Sequence, residues 1–270
     1  MSRTRVKALF TDYDGTLSPI DVNRSESAVP PKTLAILHEI SRRIPIAVIT
    51  TKDLEFVAKR TPFSRAWATL GGLEIIEGGA VTDAPCLKRR LRQVTNALHY
   101  AKKVAGEDLT IEEKRNSEGV TVAFSVDWRK TANEAQARAK VAQITAHCKA
   151  LPLSVTAYEG QPFFDVFPCP TDKGAALMTL KKKLGLQDGI LYLGDSAADN
   201  AAFDKADISV GIVHPETPSN LTCDFFVKAR ELDAFLEAML KGNFCFDATW
   251  PMVSTEKGQR NSLLGEKKRL

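Results

Sequence analysis

A chain of 270 residues, 44% of them hydrophobic and 26% charged, is long enough to bury a sizeable core and is not the composition of a disordered segment. Its 37 basic and 33 acidic residues leave a net charge of +4, which excludes a global nucleic-acid-binding bias and leaves room only for a local patch, of which the body shows none. The five cysteines, Cys86, Cys148, Cys169, Cys223 and Cys245, are odd in number, scattered and without a CxxC pair, and they read as reduced thiols.

At the N-terminus, MSRTRVKALFTDYD turns polar after a few apolar residues, too soon for a secretory leader. No run approaches the roughly 18 apolar residues of a membrane span, so a cytoplasmic location away from membranes is expected. Val6 to Thr11 is a short apolar run ending in acidic and glycine residues, the mark of a buried parallel strand that opens into a loop at its carboxyl end, where open α/β sheets place their chemistry. Pro30 and Pro31 then precede Leu34, Leu37, Ile40 and Ile44 at helical spacing, and Ile44 to Thr50 reads as a second buried strand. A third strand is expected near Ala66 to Leu70, and a glycine-rich stretch through Gly79 leads to a boundary at Thr82-Asp83-Ala84-Pro85.

Beyond that boundary the pattern changes. Leu87, Leu91, Val94, Leu98 and Ala101 mark a helix, Leu109 to Lys114 a strand, and Val120 to Trp128 a strand with one face buried. Ala135 to Cys148 reads as an alanine-rich helix, and Leu153 to Thr156 with Phe163 to Phe167 as a hairpin around Glu159-Gly160. Residues 85–167 thus form a coherent α-β-β-α-β-β unit. The strand and helix alternation resumes after Thr171, with a helix through Leu177, Leu180 and Leu184, a buried strand at Ile190 to Leu193, a helix through Phe203 and a strand at Ile208 to Ile212. The expected fold class is therefore α/β, a doubly wound parallel sheet over residues 1–84 and 168–242 interrupted by a smaller α+β insertion. Residues 243–270, with Lys257, Arg260, Lys267, Lys268 and Arg269, are expected to be a loosely ordered basic tail unless something docks them.

Asp12 and Asp14 follow the first strand two positions apart, so extended backbone sends both carboxylates to the same side. Such a pair alone equally describes a solvated loop. The second acidic cluster alters the balance, because Gly194-Asp195-Ser196-Ala197-Ala198-Asp199-Asn200 puts Asp195 at the tip of another buried strand and Asp199 one helical turn later. Magnesium prefers carboxylate oxygens and usually takes one or two of them together with waters and substrate phosphate, which Asp12 and Asp195 would satisfy. Thr50 ends the second strand, where its hydroxyl and nearby amides could hold a phosphoryl oxygen, although threonine is common at strand ends. Lys173 starts a helix, the end where the helix dipole disfavours a cation. An ammonium there makes sense if it offsets repulsion between an attacking carboxylate and an anionic substrate.

In order and spacing, Asp12-x-Asp14-Gly15-Thr16, Thr50, Lys173 and Gly194-Asp195-x3-Asp199 resemble the four motifs of the haloacid-dehalogenase (HAD) phosphatases, across roughly residues 5 to 212. The resemblance implies that Asp12 attacks phosphorus to form an aspartyl phosphate, while Asp14 protonates the leaving oxygen and later deprotonates water. It implies that Thr50 and Lys173, with Thr51 beside them, hold the substrate phosphoryl group. Mg2+ would be bound by Asp12, the backbone carbonyl of Asp14 and Asp195, with Asp199 in support or ligating through water.

The inserted unit resembles the cap of the trehalose-6-phosphate phosphatase branch, which points to a phosphorylated sugar as substrate. Glu112-Glu113-Lys114 resembles that branch's Glu-x-Lys strand, Asp127-Trp128-Arg129 its His-Tyr-Arg, and Asp165-Val166-Phe167-Pro168 its Glu-x-Arg-Pro. Glu112, Lys114, Arg129 and Asp165 are accordingly candidates for sugar contacts, while Asp127, Asp165 and Phe167 depart from the branch pattern. Glu112 and Lys114 share a strand face, which also suits plain charge alternation on an exposed strand. The four histidines, His38, His99, His147 and His214, have no metal spacing and read as surface or packing residues. The resemblance implies a magnesium-dependent phosphatase, first of all for trehalose 6-phosphate. Its alternatives are a phosphatase for mannosyl-3-phosphoglycerate or sucrose phosphate, or a phosphohexomutase. A different class is a regulatory module without turnover, partner to a glycosyltransferase, and a functional pairing with a sugar-phosphate glycosyltransferase is expected in either case.

Overall fold

The computed structural model describes residues 4–19, 22, 24–158, 160–215 and 220–255. In chain order the first part carries β1 (Thr4–Arg5), β2 (Ala8–Thr11), α1 (Pro31–Ser41), β3 (Ile46–Ile49), α2 (Leu54–Ala58), β4 (Ala66–Thr69), β5 (Glu74–Glu77) and β6 (Ala80–Asp83). The middle part carries α3 (Pro85–Arg89), α4 (Leu91–Ala105), β7 (Thr110–Arg115), β8 (Thr121–Asp127), α5 (Glu134–Lys149), β9 (Ser154–Ala157) and β10 (Phe163–Phe167). The last part carries α6 (Lys173–Lys183), β11 (Ile190–Gly194), α7 (Asn200–Phe203), β12 (Ile208–Val213), β13 (Phe225–Lys228), α8 (Leu232–Lys241), β14 (Cys245–Phe246) and β15 (Ser254–Thr255).

Among the described residues, nine strands form the main sheet in the order β15-β13-β12-β11-β2-β3-β4-β5-β6. The six from β13 to β4 run parallel, and β15, β5 and β6 join antiparallel at the two edges. The central strands are apolar throughout because both of their faces are covered, as parallel sheets require. Alternation along the strand divides the side chains between two layers. Leu9, Val48 and Leu193 pack with Leu37 and Ile40 of α1 and Phe235 and Met239 of α8. Phe10, Ile49 and Tyr192 turn to the opposite face and meet Leu177 and Leu180 of α6 and Phe203 of α7.

The insertion folds as an antiparallel sheet in the order β7-β8-β10-β9. Its apolar face holds Phe124, Val126, Phe164 and Val166 against Val94 and Leu98 of α4 and Ile144 and Cys148 of α5. The register sets Glu112 opposite Ser125, Ser125 opposite Asp165, and Asp165 opposite Thr156. One polar row therefore crosses all four strands on the face away from the helices. β9 and β10 pair as expected, but Glu159 of their connection lies outside the described residues.

The glycine-rich stretch through Gly79 is the β5–β6 hairpin, turned at Gly78 and Gly79, both with positive φ, which glycine adopts without steric cost. Two expectations are corrected. Residues 243–255 are docked rather than loose. β14 pairs with β1, β15 pairs with β13, and Trp250 packs edge-on against Phe235 and Phe246. The basic residues from Lys257 onward lie outside the described residues. Finally, Cys86 and Cys169 are not reduced thiols but a disulfide across a sequence separation of 83 residues. An insertion leaves and re-enters its host at one point, so the first turn of α3 and the segment after β10 are brought side by side. Cys148, Cys223 and Cys245 take no part in a disulfide. Thiol titration of the denatured chain is expected to return three thiols before reduction and five after it; five thiols before reduction would rule the bridge out.

Candidate active site

The three strands whose carboxyl ends carry candidate residues are neighbours, in the order β11-β2-β3. Asp12 directly follows β2, and its amide donates to the carbonyl of Leu193 in β11 at 2.8 Å. Asp195 directly follows β11 and Thr50 directly follows β3. Strand adjacency alone thus gathers groups that are far apart in the chain. Asp12, Asp195 and Asp199 each offer a carboxylate oxygen, and these atoms lie within 4.8 Å of one another. All three side chains are buried.

Lys173 begins α6, whose first turn is capped by Asp172 through the Ala175 amide. That fixed start aims the ammonium inward, where Nζ lies 2.9 Å from Asp12 and 2.7 Å from Asp199. The carboxylate of Asp199 accepts from Lys173, the Tyr192 hydroxyl at 2.6 Å, the Ser196 hydroxyl, and the amides of Asp195 and Ser196. With its lone pairs so occupied, Asp199 orients Lys173 and the Asp195 loop. Tyr192 keeps its proton for this bond, since burial and then the Asp199 charge hold the phenol well above its ordinary value.

The electrostatics are those of a cluster short of positive charge. Burial pushes Asp12 up to about 7, with Lys173 opposing the rise and Asp199 and Asp14 adding to it. Asp195 is raised well above the usual carboxylate range by burial first, then by Asp12 and Asp199. Burial works against charge on Lys173, but Asp12 and Asp199 outweigh it and the ammonium is held above its ordinary value. Three ionised carboxylates against one ammonium leave two uncompensated negative charges in a buried site. A divalent cation matches that deficit, and the all-oxygen donor set suits a hard ion. Asp12 and Asp195, whose oxygens are not consumed by donors as those of Asp199 are, are the carboxylates that would hold it.

The backbone supports the same close approach. Gly15 has φ +74°, and a β-carbon there would stand 2.1 Å from an Asp195 oxygen, so the β2 loop and the β11 loop can meet only if that residue lacks a side chain. The Thr16 hydroxyl reaches Asp195 at 3.4 Å. His214, read from sequence as packing or surface, follows β12 and places Nε2 2.6 Å from the Gly15 carbonyl, fastening the loop from a fourth strand. His38 and His147 pack on Phe63 and Tyr100, in line with their reading.

Between this cluster and the polar row of the inserted sheet lies a cleft of about 440 Å³ lined by Asp12, Asp14, Thr51, Lys173 and Asp195 below and by Glu112, Lys114, Arg129 and Asp165 above. Thr50 is fully buried and its hydroxyl accepts from the Lys52 amide, whereas Thr51 faces the cleft. Asp165 is 1% exposed and accepts from Lys114 and Tyr158, both at 2.7 Å, and from Ser125. Phe167, at the position where the related pattern has arginine, is wholly buried and lies under the Lys114 ammonium at 5.1 Å. Arg129 pairs with Asp127 at 2.9 Å and sits over the Phe163 ring. Lys52, Ser125 and Tyr158 also line the cleft, and sequence reasoning missed them. Lys52, directly after the Thr50-Thr51 pair, was the one with a local signal.

A layered α/β sheet with an acidic cluster at its carboxyl edge and an α+β insertion over it is the HAD-like fold. The fold is shared with a sugar phosphatase of HAD subclass IIB at a TM-score of 0.56 and 14% identity, covering 88% of this chain and 100% of that one. It is also shared with the C-terminal domain of C. albicans trehalose-6-phosphate phosphatase at a TM-score of 0.69 and 17% identity, covering 88% and 93%. More narrowly, the chain belongs to the trehalose-phosphatase family, whose family model matches residues 10–220. A trehalose-phosphate phosphatase of Mycobacterium tuberculosis (strain ATCC 25618 / H37Rv) is 28% identical over 213 residues, which are 74% of this chain and 51% of that protein. The chain thus spans about half the length of that relative. No helix among the described residues is long and apolar enough to cross a membrane.

Proposed function

We propose that this chain hydrolyses a sugar phosphate, with trehalose 6-phosphate as its substrate, through a covalent intermediate on Asp12. The observation that carries the reading is the contact of Asp12 with Lys173 at 2.9 Å beside Asp195, at the floor of a cleft roofed by polar side chains. An Asp12 oxygen attacks phosphorus, and the bond from phosphorus to the sugar oxygen breaks. Asp14, more exposed than Asp12 and facing the same cleft, gives its proton to the departing oxygen. The resulting Asp14 carboxylate takes a proton from the water that attacks the aspartyl phosphate, so phosphate leaves and both acids return to their starting states. Lys173 and the hydroxyl of Thr51, with the amides around Thr50, hold the phosphoryl oxygens. Bound Mg2+, held by Asp12, Asp195 and the Asp14 carbonyl, would supply charge neutralisation between the anionic nucleophile and the anionic ester.

Residues 85–167 act as the cap that reads the sugar, with Glu112, Lys114 and Arg129 meeting hydroxyls and Asp165 holding Lys114 in place. A sugar phosphate is a charged solute that membranes retain, so we place the reaction in the cytoplasm, downstream of a glycosyltransferase that makes the ester. The test is phosphate release from a panel of trehalose 6-phosphate, sucrose phosphate, mannosyl-3-phosphoglycerate and glucose 6-phosphate. Trehalose 6-phosphate is expected to show the largest kcat/KM, by about tenfold or more. A larger value for another sugar reassigns the substrate. Turnover only with a bisphosphate activator indicates a mutase, and no release from any ester favours a module without turnover.

A further inference from the structure

Arg24 belongs to none of the sequence motifs, yet its guanidinium is held from three directions. It lies over the Phe56 ring, 4.4 Å from the centroid. Its Nη2 donates to Asp53 at 2.7 Å, and its Nη1 donates to Glu112. Phe56 and Asp53 belong to α2 and its cap in the main domain, whereas Glu112 belongs to β7 in the inserted sheet. Arg24 is thus anchored to one domain by two contacts and reaches the other by a third. The anchor is firm, because Asp53 is 4% exposed and its other oxygen accepts from the Phe56 amide at 2.9 Å. A planar fork can serve two carboxylates while stacked on an aromatic face, and a lysine ammonium cannot.

Glu112 has a second cationic neighbour from the main domain. Lys52 Nζ stands 3.7 Å from it and 3.8 Å from Asp14. Charges alternate from Asp53 through Arg24, Glu112 and Lys52 to Asp14, which reaches from the start of α2 to the floor of the cleft. Withdrawing the inserted sheet would take Glu112 away from both cations at once. The position of that sheet and the surroundings of Asp14 are therefore tied through one carboxylate.

We propose that Arg24 is a positioning residue that latches the inserted domain over the cleft through Glu112 and thereby favours esters with a sugar leaving group, an inference that rests on the sugar-phosphate hydrolase reading. Held this way, Glu112 and Lys52 present fixed acceptor and donor groups to a leaving group long enough to reach them. A small aryl leaving group reaches neither and draws no benefit from the latch.

The experiment measures kcat and KM for the preferred sugar phosphate of the panel and for p-nitrophenyl phosphate in wild type, Arg24→Ala, Arg24→Lys, Glu112→Gln and the Arg24→Ala/Glu112→Gln double variant. Arg24→Ala is expected to raise KM for the sugar ester about tenfold, while the aryl ester changes by about twofold or less. Arg24→Lys should recover part of the loss. The double variant should match the worse single variant within about twofold, since the contact between Arg24 and Glu112 is lost in either one. Equal losses on both esters, or a double effect equal to the product of the singles, would overturn the latch. If Arg24→Ala does not fold, Arg24→Lys must show the same split between substrates, in smaller degree, for the proposal to stand. Wild type that hydrolyses neither ester defeats the underlying hydrolase reading and this role with it. Aryl turnover lost in Asp12→Asn but showing no sugar-specific effect of Arg24 defeats the latch alone.

Discussion

Asp12→Asn is expected to lower phosphate release roughly 10⁴-fold or more, the scale on which removal of a nucleophile or its partner acts in hydrolases. An amide of the same shape cannot form the covalent phosphate. Stability should move the other way or not at all. Burial already raises Asp12 to about 7, so the carboxylate is poorly tolerated where it stands, and Lys173 keeps Asp199 as a partner at 2.7 Å. Paired measurements of turnover and Tm separate this outcome from misfolding. Residual release above about a tenth of wild type would place the nucleophile elsewhere.

Removal of divalent metal is expected to abolish turnover, with Mg2+ restoring it and Ca2+ inhibiting, because the larger, more loosely organised calcium shell would misplace the attacking carboxylate. Full turnover in excess chelator would reject the metal role. The stability of the metal-free chain should respond to pH in a defined direction. Asp12 is raised in the folded chain from 3.8 to about 7. Below the lower value both states are protonated and the group contributes nothing. Between the two values the unfolded chain ionises while the folded chain keeps its proton, so stability falls as pH rises, and above about 7 the penalty is constant. Asp195, raised for the same reason, adds to the trend. Metal needs both carboxylates ionised and therefore displaces protons, so its affinity grows with pH. The Tm gained on adding Mg2+ should be larger at pH 8 than at pH 5, with proton release measurable in weak buffer. A gain that is equal at both values, or larger at pH 5, would count against this cluster as the metal site.

The residues legible in the sequence are those whose role begins with local structure. Asp12, Asp195 and Thr50 each follow a short apolar strand, and Lys173 begins a helix against the preference of its dipole. The α-β-β-α-β-β order of the insertion is written in a change of hydrophobic period. The β5–β6 hairpin also had its signal, Gly78-Gly79 between apolar pairs, but glycine-rich segments read equally well as loops. The docked segment of residues 243–255 had none, since its order comes from Trp250 meeting Phe235 and Phe246 rather than from any repeat.

By itself the sequence determined the class of sheet, the presence of an insertion and the acidic residues that end two of its strands, because strand and helix periodicities are properties of neighbouring residues. Tertiary structure alone decided that Asp199 meets Lys173 and Tyr192, that Thr51 faces the cleft while Thr50 is buried, that Cys86 meets Cys169, and that Arg24 reaches Glu112. Each of those depends on which strands lie side by side and on how one domain rests on another. Contacts between residues far apart in the chain follow from packing and register, which no local pattern encodes.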